Sequence, residues 1–166
     1  MLATVLAQHP WTTTAALVGL VVLGPAVGAW LVGRPRVSRV LLAPAVLLVA
    51  LLTLVPTRRD LDVGCTVEWS LPRLAAVEPM ANLVLFVPVV LLAGVLTRRP
   101  VVVVLAASGS SLVIETVQAL VPALGRSCSS NDWLHNTLGA LLGALLARAG
   151  LRLAQRRRGP DRTGPR

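Results

Sequence analysis

The sequence has no lysine, few acids and little aromatic content: charged residues make up 14% of its 166 positions and aromatic residues 3%. With 55% hydrophobic residues and a mean hydropathy of +0.75, that is too little polarity for a water-soluble domain of this size. One membrane domain and no separate soluble one is expected, because a helix needs about 20 apolar residues to cross a hydrocarbon core roughly 30 Å thick and several such spans take up most of the sequence. Histidine and cysteine are scarce. His9, His135, Cys65 and Cys128 stand at separations that match no zinc pattern, so neither a metal nor another cofactor is expected. No Gly-x-Ser-x-Gly turn surrounds Ser108, Ser110 or Ser111, and serines in membrane helices commonly bond back to their own backbone, so a serine nucleophile has no support. Met1 to Trp11 contain no Lys or Arg, and the apolar run that follows is too long for a signal-peptide core, so it reads as a retained span.

What is present is arginine. All sixteen basic residues are Arg, giving a net charge of +9, which in a soluble protein would suggest nucleic acid as a partner. Here they lie in short clusters between apolar runs, with no aromatic interleaving, as orientation signals and lipid-headgroup contacts do. The partner they imply is the bilayer, with no nucleic acid.

The apolar runs predict an all-α, polytopic bundle of five spans, at residues 12–32, 37–55, 80–97, 101–121 and 132–150. Residues 1–11 precede the membrane domain of residues 12–150, and 151–166 form a basic tail. Gly24 and Gly28 in the first span have the spacing that permits close helix approach, with Pro25 between them. The longest loop, Pro56 to Pro79, nearly balances its acids and bases and reads as a water-exposed excursion that rests Trp69 at the interface. Arg34, Arg36, Arg39, Arg98, Arg99 and the seven from Arg148 onward fall on one side, twelve in all; Arg58, Arg59, Arg73 and Arg126 make four on the other. The positive-inside rule therefore expects the N-terminus outside and the C-terminus in the cytoplasm of a multi-pass cell-membrane protein.

Carboxyl and amide groups inside spans are costly, about 2.5 to 3.5 kcal/mol for an aspartate at the centre. Glu115 and Gln118 share a face of the fourth span, Asp132 and Asn136 open the fifth, and Asn82 opens the third. With Arg126 in the adjoining loop, all six are expected at one outer layer. Two readings stand: mutual hydrogen bonding that fixes packing, with Arg126 neutralising Glu115 or Asp132, or a ligand cavity open to the outer leaflet. His135 either joins this layer or serves helix packing. Cys65 and Cys128 are both expected in outer loops, where oxidising conditions permit a disulfide.

The same residues carry a family resemblance. Asn82-Leu-Val-Leu-Phe86-Val-Pro88, Glu115-Thr-Val-Gln118 and Gly125-Arg126, followed by Asp132-Trp-Leu-His-Asn136-Thr-Leu-Gly139-Ala-Leu-Leu-Gly143, make the chain similar to the VanZ-like membrane proteins. It departs from them in Val90, where a Gly usually follows the Phe-x-Pro element, and in Ser129, where an acid is common. The missing acid weakens any metal or acid-pair reading of that loop. The resemblance implies a membrane protein of the cell envelope linked to glycopeptide resistance of the teicoplanin type, with no settled reaction.

Together these features lead to the expectation of a non-enzymatic, or not demonstrably enzymatic, protein whose outer polar pocket engages a lipid-linked envelope molecule or a lipoglycopeptide. The alternative is an intramembrane enzyme on a lipid-linked cell-wall substrate, with Glu115 or Asp132 as acid or base. A small transporter ranks behind both, since no internal repeat is evident.

Overall fold

The computed structural model describes residues 9, 11–57, 63–73 and 76–158. Arg58, Arg59, Asp60 and Asp62, the first eight residues and the tail from 159 lie outside them. Five long helices run through the described residues: α1 Trp11–Leu31, α2 Pro35–Leu54, α3 Val77–Thr97, α4 Pro100–Leu120 and α5 Ser130–Arg158. Each is long and apolar enough to cross a membrane. The chain is an all-α, multi-pass membrane bundle.

Helix boundaries follow local chemistry. Pro35 and Pro100 occupy the opening turns of α2 and α4, where a missing N–H costs nothing. Arg98 ends α3 in the left-handed conformation, φ 56°, and makes the short turn into α4. The fifth helix is longer than the expected span of 132–150: it continues to Arg158, well into the expected tail. Leu151 to Arg158 contain neither Gly nor Pro and consist of Leu, Ala, Gln and Arg, all strong helix formers. Gly150 does not end the helix because it is a contact point. A methyl group there would come within 2.9 Å of the Ala29 nitrogen on α1.

Helices α3 and α5 form the centre: half of the apolar window of α3 is buried, against 11% for α2. Lipid tails are as apolar as leucine, so close contact rather than escape from water must hold such helices together. Gly139 and Gly143 provide it. A Cβ on Gly143 would stand 2.6 Å from the Val87 carbonyl oxygen, and one on Gly139 would overlap the Leu83 carbonyl oxygen. On one side of this seam Leu31, Leu83, Val87, Leu91 and Leu146 join α1 to the pair; on the other, Val49, Phe86, Val90, Ala107 and Ala144 bring in α2 and α4. Gly24 and Gly28 face Leu146 and Gly150 of α5, so the small-residue spacing in the first span is a packing surface. Val22, Leu23, Val40, Leu47, Leu105 and Leu145 lie on the periphery, exposed as lipid-facing side chains are.

At one end, two short segments pair as parallel strands, β1 (Cys65–Thr66) and β2 (Cys128–Ser129), with Cys65 opposite Cys128. The two cysteines form a disulfide across 4.6 Å between their Cα atoms. The long loop is thereby fastened beside the N-terminus of α5.

Candidate functional site

The polar residues gather at the disulfide-bearing end, where α2 and α4 finish and α3 and α5 begin. Four of the six sequence-expected residues bind one another's helices or the strand region. The Asn82 amide on α3 donates to the Asp132 carboxylate on α5 at 2.6 Å, bridging the central pair. Asn136, one turn along α5 from Asp132, donates to the Ser111 hydroxyl of α4 at 2.9 Å. Glu115 is 5% exposed and accepts the Ser129 backbone N–H at 2.9 Å, so α4 holds the chain just before α5 begins.

Gln118 and Arg126 do something else. The last carbonyls of a helix have no partner inside it. Gln118 donates to the Thr53 carbonyl at 2.8 Å, and Arg126 donates through Nε and Nη2 to the Val55 carbonyl at 3.2 and 3.1 Å. Both cap the C-terminus of α2. Thr57 continues this seam through its N–H to the Leu124 carbonyl at 2.8 Å and its hydroxyl to Gly125. Arg126 therefore spends its fork on a backbone oxygen, and among the described residues it makes no ion pair with Glu115 or Asp132.

Several participants carry weak sequence signals. Ser129 accepts the Asn131 N–H at 3.2 Å, capping the N-terminus of α5, which is how a Ser serves where the family commonly has an acid. Ser130 and Asn131 reach the long loop: Ser130 exchanges hydrogen bonds with the backbone of Glu68, and Asn131 pairs with Ser70. Trp69 and Trp133 meet edge to face at 6.2 Å above this seam. Of the three serines in α4, only Ser110 bonds back to its own helix; Ser108 pairs with Thr137 at 2.9 Å and Ser111 with Asn136.

His135 joins the layer. Its Nε2 lies 3.0 Å from the Ser70 carbonyl, an acceptor only, so Nε2 carries the hydrogen. The other ring nitrogen, Nδ1, is buried with no partner, as is the Asn136 Oδ1. Such atoms are uncommon in folded proteins, because each forgoes a hydrogen bond it would have made in water. The layer thus combines two carboxyl groups that pair with no arginine among the described residues, a histidine beside Asp132, and two buried unpartnered atoms, under a loop fastened by the disulfide. Among the described residues no three His, Cys, Asp or Glu side chains converge as a metal site would need.

Comparison with known proteins agrees with the motifs. No curated protein and no solved structure matches the chain. A family profile described as VanZ/LLP1 matches residues 11–153, from the start of α1 to near the end of α5 and across every polar contact above. The chain belongs to the VanZ/LLP1 family of membrane proteins.

Proposed function

We propose that the polar layer faces the outside of the cell and binds the hydrogen-bond-donating head of a lipid-tailed or lipid-linked envelope molecule. Through that binding the protein contributes to resistance against lipoglycopeptides of the teicoplanin type. The observation that carries the reading is the excess of acceptors. Neither Glu115 nor Asp132 pairs with an arginine among the described residues, Asn136 Oδ1 has no donor, and the guanidinium of Arg126 is committed to α2. Sugar hydroxyls, amides and ammonium groups supply what such a layer lacks. The surrounding apolar helix surfaces suit the tail of the same molecule. The Arg asymmetry of twelve to four supports the outward orientation, and family membership supports the link to glycopeptides.

The test uses the purified full-length protein in lipid nanodiscs with two probes, a lipid-linked cell-wall precursor and teicoplanin. Saturable binding of either probe, lost in Glu115→Gln at unchanged protein abundance, is the expected result. Failure of both probes to bind removes the proposal. The two carboxylates in one layer also favour a second reading, acid–base chemistry on the lipid-linked precursor. Its mark is turnover: conversion of the precursor, rather than retention, moves the chain to that class.

A further inference from the structure

The opposite end of the bundle holds a concave surface, unrelated to the polar layer. An open cleft of about 700 Å³ lies between the α3–α4 turn and the extension of α5, lined by Arg98, Arg99, Arg148 and Arg152. A smaller hollow shares Arg98, Leu151 and Gln155 with it and is lined as well by Val32 and Ala154. We propose that this cleft binds the phosphate of an anionic phospholipid headgroup, with the acyl chains lying along the adjoining wall of α4.

Charge is the first argument. Guanidinium groups stay protonated in proteins, so four of them around one cleft repel one another unless an anion enters. Among the described residues no acid does so. The described acids, Glu68, Glu78, Glu115 and Asp132, belong to the disulfide-bearing end of the bundle or the loop above it, and none lines the cleft. Arg148 and Arg152 are four residues apart on α5 and so share a face, while the left-handed turn at Arg98 sets two more cations at the foot of α4. The first turn of α4 adds its positive dipole end, with Val101 and Val102 among the lining residues.

Depth and shape select a lipid over a free ion. Helix α5 has 29 residues, roughly 43 Å of rise, and so extends about a dozen ångströms beyond a 30 Å hydrocarbon core. Its Arg-bearing turns therefore sit at headgroup level, beside the turn that joins α3 to α4. The cleft's other lining is apolar: Val101 and Val102 are more than half exposed, continuous with the lipid-facing surface of α4. A phosphate with chains attached satisfies both the cationic and the apolar part, whereas inorganic phosphate satisfies one.

The experiment is native mass spectrometry of the full-length protein released from nanodiscs of mixed phosphatidylglycerol and phosphatidylcholine. Retained phosphatidylglycerol, with at least tenfold preference over phosphatidylcholine, is expected. Arg148→Gln with Arg152→Gln should abolish that preference, while Arg156→Gln with Arg157→Gln, which removes equal charge outside the cleft, should change it less than threefold. If the first pair does not accumulate, Arg98→Gln with Arg99→Gln makes the same comparison from the other wall. Equal losses from the inside and outside pairs would reduce the effect to general surface attraction and overturn the proposal, as would the absence of any preference. Full displacement of the lipid by millimolar inorganic phosphate would assign the cleft to the free ion and overturn it likewise.

Discussion

A single methyl group added at Gly139 tests how the centre of the bundle is held and how that packing reaches the polar layer. At Gly143 the missing Cβ would stand 2.6 Å from the Val87 carbonyl oxygen, where ordinary contact begins near 3.4 Å, so α3 and α5 would have to part by about 0.8 Å. Gly139, whose Cβ would overlap the Leu83 carbonyl, demands more. Overpacking commonly costs about 1 to 3 kcal/mol, and the upper end applies because the obstacle is backbone and cannot rotate away. Leu83 follows Asn82, whose 2.6 Å bond to Asp132 joins the same two helices; a shift of that size takes it to the limit of a hydrogen bond. Gly19→Ala is the control, because nothing lies within 4 Å of its added Cβ and alanine gains up to about 1 kcal/mol in helix propensity. Unfolding in mixed micelles, followed by tryptophan fluorescence, should separate the two variants by roughly 3 kcal/mol. Equal stabilities would refute the close-contact account of α3 and α5.

The remaining predictions concern topology, the site and its cover. A reporter fused after Arg166 should be active only as a cytoplasmic one and an insertion near Asp62 only as an external one; the reverse pattern would overturn the outward-facing layer. Glu115→Gln should leave membrane abundance near normal while removing the drug-susceptibility phenotype of deletion, whereas loss of the protein from the membrane would assign Glu115 to packing. Alkylation without reductant should modify neither cysteine, and full modification of both would rule the bridge out. Cys65→Ser with Cys128→Ser should speed hydrogen exchange around Glu68 and Ser70 severalfold without changing helix insertion; unchanged exchange would mean that the Ser130 and Asn131 contacts hold the loop unaided.

The spans were legible in the sequence because hydrocarbon imposes length and apolarity on any helix that crosses it. The starts of α3 and α5 lie a turn or less from their expected positions. The length of α5 was not legible by hydropathy, since Arg152 to Arg158 look like a tail unless helix propensity is weighed. Within the polar layer, Asn82, Asp132 and Asn136 could be placed together by depth alone. The partners of Gln118 and Arg126 could not, because they bind the carbonyls of Thr53 and Val55, and a backbone oxygen has no letter in a sequence. His135 was ambiguous for a related reason: its partner is the Ser70 carbonyl, 65 residues away in a loop whose path is set by tertiary contacts.

The bridge between Cys65 and Cys128 also orders events during synthesis. Its second half lies after α4, so the bond cannot form until α1 to α4 have been made and the two cysteines meet oxidising conditions. Until then the long loop has neither the bridge nor the contacts to Ser130 and Asn131, which are made later still. Closure of the cover is therefore among the last steps of assembly, and a chain stalled or truncated before Cys128 has no way to complete it. The oxidised pair consequently reports that the bundle has been threaded through α4, something no contact among the first three helices can report.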